Sequence, residues 1–145
     1  MEMKVVLDPG VGIMPTRAHE LDGGFDLYSP VGKYLFPNVK GVDNSIVIDT
    51  GVHVQIPEGY VGDIKSKSGM MVNYSIITDG TVDAGYTGSI RVKLFNLGSS
   101  LYHIEKGQKI AQLVLKKIIT PELVQVEKLE DTERGSGGFG STGKF

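Results

Sequence analysis

Twenty glycines and six prolines punctuate these 145 residues so often that little room is left for helices of ordinary length. What lies between the breaks is short and rich in β-branched residues: Lys4–Leu7, Ser45–Ile48, Val52–Ile56, Ser89–Phe95 and Leu123–Val126. Period-two alternation in such runs predicts strands with one buried face. Turn signals recur between them at Asp8-Pro9-Gly10, Asp22-Gly23-Gly24, Pro57-Glu58-Gly59, Asp79-Gly80 and Asn96-Leu97-Gly98. Many short strands at this spacing point to an all-β barrel, jelly roll or sandwich. The one helix expected is short, Gly69 to about Tyr74, with Ser68 as its N-cap.

The length suits a single domain, and 40% apolar with 22% charged residues is ordinary for a globular protein. A formal net charge of -2 provides no broad basic field for holding a nucleic-acid backbone, so stable nucleic-acid binding is not expected. A mononucleotide needs only a few local cations and stays open. The absence of cysteine excludes disulfides and thiolate metal sites together. The apolar run before Asp8 is too short for a signal-peptide core, and no run approaches the roughly 18 residues of a spanning helix. A cytoplasmic protein without membrane contact is expected.

Several residues have types and settings suited to chemistry. Asp83 sits in the glycine-flanked segment Gly80–Gly88, where it is either an ordinary turn aspartate or a carboxylate that orients and deprotonates water. Tyr86, three residues on, belongs to the core or walls a flat pocket. Lys65-Ser66-Lys67 runs into Ser68-Gly69, which reads as a plain capped helix start or as an anion site. Asp26 is a strand-start aspartate or a holder of magnesium-bound water. Gln112 lies within the apolar run Lys109–Leu115, so it pairs with backbone or faces a ligand. Residues 134–143, with five glycines, form a mobile tail or a phosphate-cradling loop, in which Phe139 would be a stacking lid. His53 and His103 read as strand or turn surface, His19 is isolated, and the three show no ligand spacing.

The order of these segments is more specific than any one of them. Gly24–Tyr28, Gly62–Met70, Gly80–Gly88, Gly107–Leu113 and Arg134–Gly143 resemble, in sequence and in order, the five motifs of the trimeric dUTP pyrophosphatase (dUTPase) family. The linking text Asp49-Thr50-Gly51-Val52 and Ile56–Tyr60 is similar too, so the resemblance covers nearly the whole chain. It implies a jelly-roll-like distorted β-barrel with one short helix, residues 1–133, followed by a flexible arm, residues 134–145, that closes over a neighbouring subunit's active site. It implies a homotrimer with sites at the interfaces. There dUTP is hydrolysed to dUMP and pyrophosphate with magnesium, which limits uracil incorporation into DNA and supplies dUMP for dTMP synthesis. In that scheme Asp83 activates the water that attacks the α-phosphorus. Tyr86 packs under deoxyribose and rejects ribose, and the backbone of Gly80, Thr81 and Val82 reads uracil in a narrow hairpin. Lys67, Ser68, Gly69 and Gln112 contact the phosphates, and Asp26 acts on the metal through water. Phe139 stacks on the base beside Gly140, while Arg134, Ser141 and Thr142 close on the γ-phosphate.

Two positions depart from the family pattern. Ser66-Lys67-Ser68-Gly69 stands where Pro-Arg-Ser-Gly is usual, and Gly85 replaces a second acid before the tyrosine. Lysine keeps the charge but lacks the planar fork of arginine. Asp83-Ala84-Gly85-Tyr86 also resembles dCTP deaminases, but Lys93 occupies the position of their glutamate, and the terminal arm is foreign to them. A regulatory binding protein on the same fold is a further alternative, with the long segment Gly32–Asn44 as its first surface to inspect.

Overall fold

The computed structural model describes residues 1–145. Eleven strands and one helix follow in the order β1 (Lys4–Leu7), β2 (Gly24–Tyr28), β3 (Lys33–Leu35), β4 (Ser45–Asp49), β5 (Val52–Gln55), β6 (Tyr60–Ser66), α1 (Ser68–Tyr74), β7 (Ile76–Ile77), β8 (Asp79–Val82), β9 (Arg91–Asn96), β10 (Tyr102–Ile104) and β11 (Lys109–Lys117). The strands make four sheets, ordered β1-β5, β10-β3, β2-β11-β6-β8 and β4-β9-β7. Every pairing is antiparallel. The chain is therefore all-β with one short helix, a jelly-roll-like barrel as expected. No helix is long and apolar enough to cross a membrane.

Alternation builds the core. In β9 the side chains of Val92, Leu94 and Asn96 are buried while Arg91 and Lys93 face out. Leu27, Leu113, Ile64 and Val82 come from the four-stranded sheet, and Ile48, Ile76, Val92 and Leu94 from the three-stranded one, to fill one apolar interior. Each such side chain contributes roughly 1.5–3 kcal/mol by leaving water. The buried Asn96 amide is satisfied: it donates to the carbonyls of Leu35 and Ser100 and accepts from the Gly98 N–H.

Three expectations need correction. The N-cap of α1 is Lys67, not Ser68, and no side chain caps the helix; the extended backbone of Lys67 already turns the chain from strand to helix. The segment Gly80–Gly88 is not a hairpin. Its first arm, β8, pairs with β6, and its second, β9, pairs with β4 and β7, so the turn joins two sheets. Leu123–Val126 forms no strand and pairs with none of the four sheets; Leu123, Val124 and Val126 are exposed.

Candidate active site

The nine-residue strand β11 pairs with β2 on one side and β6 on the other, which sets Gln112 opposite both Asp26 and Lys65. A register shift between Lys109 and Ala111 marks a β-bulge. Positions three apart on a regular strand face opposite ways; the extra residue reverses the phase, and Lys109 and Gln112 both reach Asp26. The Lys67 ammonium lies 2.6 Å from Asp26 Oδ1, and the Lys109 ammonium 2.9 Å from Oδ2. The Gln112 amide donates to Oδ1 at 3.4 Å. The Asp26 side chain is only 4% exposed, against 22% for Lys67 and 41% for Lys109. Burial works against its charge. The hydrogen bonds from Lys67 and Lys109, the Lys67 charge and the Gln112 amide outweigh it and hold the carboxyl below its usual range. Lys109 is raised in turn, chiefly by its hydrogen bond to Asp26. One buried anion thus holds two cations together at the entry to α1, where Ser68 and Gly69 are exposed and the first helical N–H groups have no partner within the helix.

A second group gathers at the other edge of the same sheet. Gly80, Thr81, Val82 and Tyr86 line a cleft of about 190 Å³ with Ile64, Ser89, Ile90 and Arg91. The turn beyond is closed by the Tyr86 N–H donating to the Asp83 carbonyl at 3.0 Å. The Tyr86 hydroxyl donates to the Ser89 carbonyl at 2.9 Å, and the hydroxyl end of the ring lies close against Gly88. Ser89 in turn bonds Asp49. Asp83 is exposed, and its carboxylate has no hydrogen-bond or ion-pair partner in the chain.

The end of the chain makes a third group. Gly135, Gly137, Ser141 and Gly143 each donate a backbone N–H to a residue three before them, and Arg134 Nε donates to the Gly137 carbonyl at 2.8 Å. Arg134, Ser141 and Thr142 line one open concavity together with Thr132, Glu133 and Gly137. Phe139, at φ 51°, is fully exposed, next to Gly140 at φ 91°.

A sequence model of the dUTPase family matches residues 11–143. The chain belongs to the dUTPase family. This dUTPase is 45% identical over 148 residues to the deoxyuridine 5'-triphosphate nucleotidohydrolase of Mycolicibacterium gilvum, covering 96% of this chain and 92% of the relative. It is 40% identical over 146 residues to that of Clostridium kluyveri, covering 99% of each. Among solved structures, the Staphylococcus bacteriophage 80alpha dUTPase with dUPNHPP superposes with a TM-score of 0.85 at 36% identity over 99% of both chains. A mutant dUTPase of S. aureus phage phi11, described for the coordination of a structural Mg(II) ion, superposes at 0.79 with 32% identity over 90% of this chain and all of that one.

Within the single chain of this dUTPase the expected residues fall into those three groups, and no hydrogen bond or ion pair joins any group to another. Asp26, Lys67 and Gln112 come together; Gly80, Thr81, Val82 and Tyr86 come together; Asp83 and Phe139 each point to solvent. For a metal, the donor set is telling. No three carboxylates or imidazoles converge anywhere. A lone buried carboxylate already hydrogen-bonded by two ammonium groups does not chelate a bare ion. It fits a magnesium ion that arrives on phosphates and keeps several of its waters. Lys109 is the residue that sequence reasoning missed. Its only signal was a lysine three positions before Gln112, and regular alternation would have turned it away.

Proposed function

We propose that this dUTPase converts dUTP and water to dUMP and pyrophosphate at sites shared between three copies of the chain. The observation that carries this reading is the division of the chemistry within one sheet. The cations Lys67 and Lys109 stand with Gln112 about Asp26 at one edge, and the glycine-walled cleft under Tyr86 opens at the other. A polyphosphate needs the first and a flat base with its sugar the second. A single chain keeps them unlinked and leaves Asp83 unpartnered, which supports a site in which the cleft of one copy meets the cations of another.

In the assembled site, Lys67, Gln112 and the free N–H groups of Ser68 and Gly69 would bind the α- and β-phosphates. The backbone of Gly80, Thr81 and Val82 would read the uracil edge, and Tyr86 would pack beneath the deoxyribose. Asp83 would accept a proton from the attacking water as its oxygen bonds the α-phosphorus and the β-phosphate oxygen departs. Asp26 would hold magnesium through its waters, and that ion would neutralise charge building on the phosphate oxygens. The arm would lay Phe139 on the base and bring Arg134, Ser141 and Thr142 to the γ-phosphate, excluding bulk water as it closes. Such an enzyme would keep uracil out of DNA and provide dUMP for dTMP synthesis.

Pyrophosphate release from dUTP, dTTP, dCTP and UTP, compared side by side with magnesium, tests the reading. Hydrolysis of dUTP well above the other three is expected. Equal rates on all four would contradict the cleft's role, and ammonia release from dCTP would contradict the activity itself.

A further inference from the structure

We propose that His53 is a positioning residue of the hydrolysis site, a strut that holds the turn carrying Asp83 and Tyr86 by gripping the Thr87 carbonyl. The inference rests on the reading of Asp83 as the base.

His53 lies on β5, opposite Val6 of β1. Its ring bridges two otherwise separate parts of the chain: Nδ1 is 2.8 Å from the Thr87 carbonyl oxygen, and Nε2 is 2.9 Å from Asp8 Oδ1. The turn between β8 and β9 needs such support. Its arms belong to different sheets and share no ladder, and no other hydrogen bond reaches the Thr87 carbonyl. The far end of the turn is tied by Ser89 to Asp49 and by the Ile90 backbone to Thr50 and Val52. Residues 83–88 are braced from within only by the Tyr86 N–H to Asp83 and the Tyr86 hydroxyl to Ser89, and His53 supplies the one hydrogen bond that reaches them from another element.

The proton count follows from the partners. A peptide carbonyl carries no proton, so Nδ1 must donate to it; an ionised Asp8 carries none either, so Nε2 must donate as well. Only the doubly protonated imidazolium satisfies both. Either neutral tautomer aims a lone pair at one of the two oxygens and must give that contact up. The charged groups about the ring are Asp8 just beyond β1, Asp49 of β4, with Arg91 of β9 3.7 Å from Asp49, and Lys4 of β1, which lines the same cavity of about 320 Å³. The Thr87 hydrogen bond first, then Asp8, outweigh partial burial and raise His53 above its ordinary 6.5. A raised value means that both ends of the bridge are held below pH 6.5 and that one of them, the Thr87 grip or its Asp8 anchor, is given up as pH rises through the folded value.

His53→Ala, Asp8→Asn and Asp83→Asn test this with the whole protein, by following kcat and KM for dUTP from pH 6 to 9 beside the thermal midpoint. At pH 6 the wild-type kcat should exceed that of His53→Ala about tenfold, less than the ~10²-fold of a full 1 Å misplacement. The excess should shrink toward pH 9, with KM little changed. Asp8→Asn, which keeps the ring but removes the charge that favours its second proton, should show the same shrinkage beginning at lower pH. A wild-type to His53→Ala ratio that stays constant with pH, or equals one throughout, would overturn the strut. Should His53→Ala fail to fold, Asp8→Asn decides alone, and a pH profile identical to wild type would overturn it. Full activity of Asp83→Asn would sink the reading beneath, whereas an inactive Asp83→Asn with a flat His53→Ala ratio would sink only the strut.

Discussion

Gly88 offers a way to disturb sugar selection without touching the groups assigned to chemistry. A Cβ built there would lie 2.5 Å from Tyr86 Cζ and 2.9 Å from Cε2, and nearer still to the hydroxyl oxygen. Carbon atoms do not approach so closely, so in Gly88→Ala the tyrosine ring must swing away. Gly88 has no positive φ, hence alanine costs little in backbone terms. The structural loss is mainly the hydrogen bond from Tyr86 to the Ser89 carbonyl. That is about 0.5–1.5 kcal/mol and a few degrees in thermal midpoint. The functional loss should be larger. If the ring's position rejects the ribose 2'-hydroxyl, a steric contrast of ~1–3 kcal/mol disappears, and the ratio of kcat/KM for dUTP over UTP falls about ten- to hundredfold. Gly85→Ala is the control: nothing lies within 4 Å of its Cβ and its φ is not positive, so the ratio should hold. Competitive turnover of the two nucleotides measures it. A folded Gly88→Ala enzyme that discriminates as well as wild type would refute the role given to Tyr86.

Asp83→Asn should bind dUTP with near-normal KM while turnover drops at least ~10²-fold in a pyrophosphate assay. Removing residues 134–145 should slow hydrolysis yet leave a trimeric mass in light scattering, since the arm contributes nothing to the apolar core. Asp26 sits below its ordinary 3.8, so its share of stability is present above that value and is lost as pH falls through the lower folded one. Urea midpoints between pH 7 and 2.5 should therefore fall less steeply in Asp26→Asn. At pH 7 that variant should lose up to ~3 kcal/mol, since the Lys67 ammonium is left without its charged partner.

Strands with clean alternation could be read from the chain. Lys4–Leu7 matches β1, and Ser45–Ile48, Val52–Ile56 and Ser89–Phe95 fall within one or two residues of β4, β5 and β9. β6 escaped because Gly62, Asp63 and Lys65 interrupt its apolar positions, and β3 and β10, at three residues each, are too short for any period to emerge. Leu123–Val126 has a strand's composition, but a strand also needs an edge to join. Residue order alone singled out Asp26, Lys67 and Gln112, which the fold brings together, and Tyr86, which it sets beside Gly80, Thr81 and Val82. Lys109 was hidden by the bulge, since phase changes of that kind have no reliable mark in side-chain alternation. His53 looked like surface because its partners, Asp8 and Thr87, are 45 and 34 residues away.

Residues 132–143 are coiled into successive small loops, each fastened by its own backbone bond. A tail of free glycines would surrender most of its entropy on docking. Here part of that ordering exists beforehand, so on the proposed closing of the arm Phe139 and the hydroxyls behind it would travel as one paddle on the strandless leash of residues 118–133. Lengthening or stiffening that leash should change how often the paddle arrives while leaving its grip, once seated, much the same.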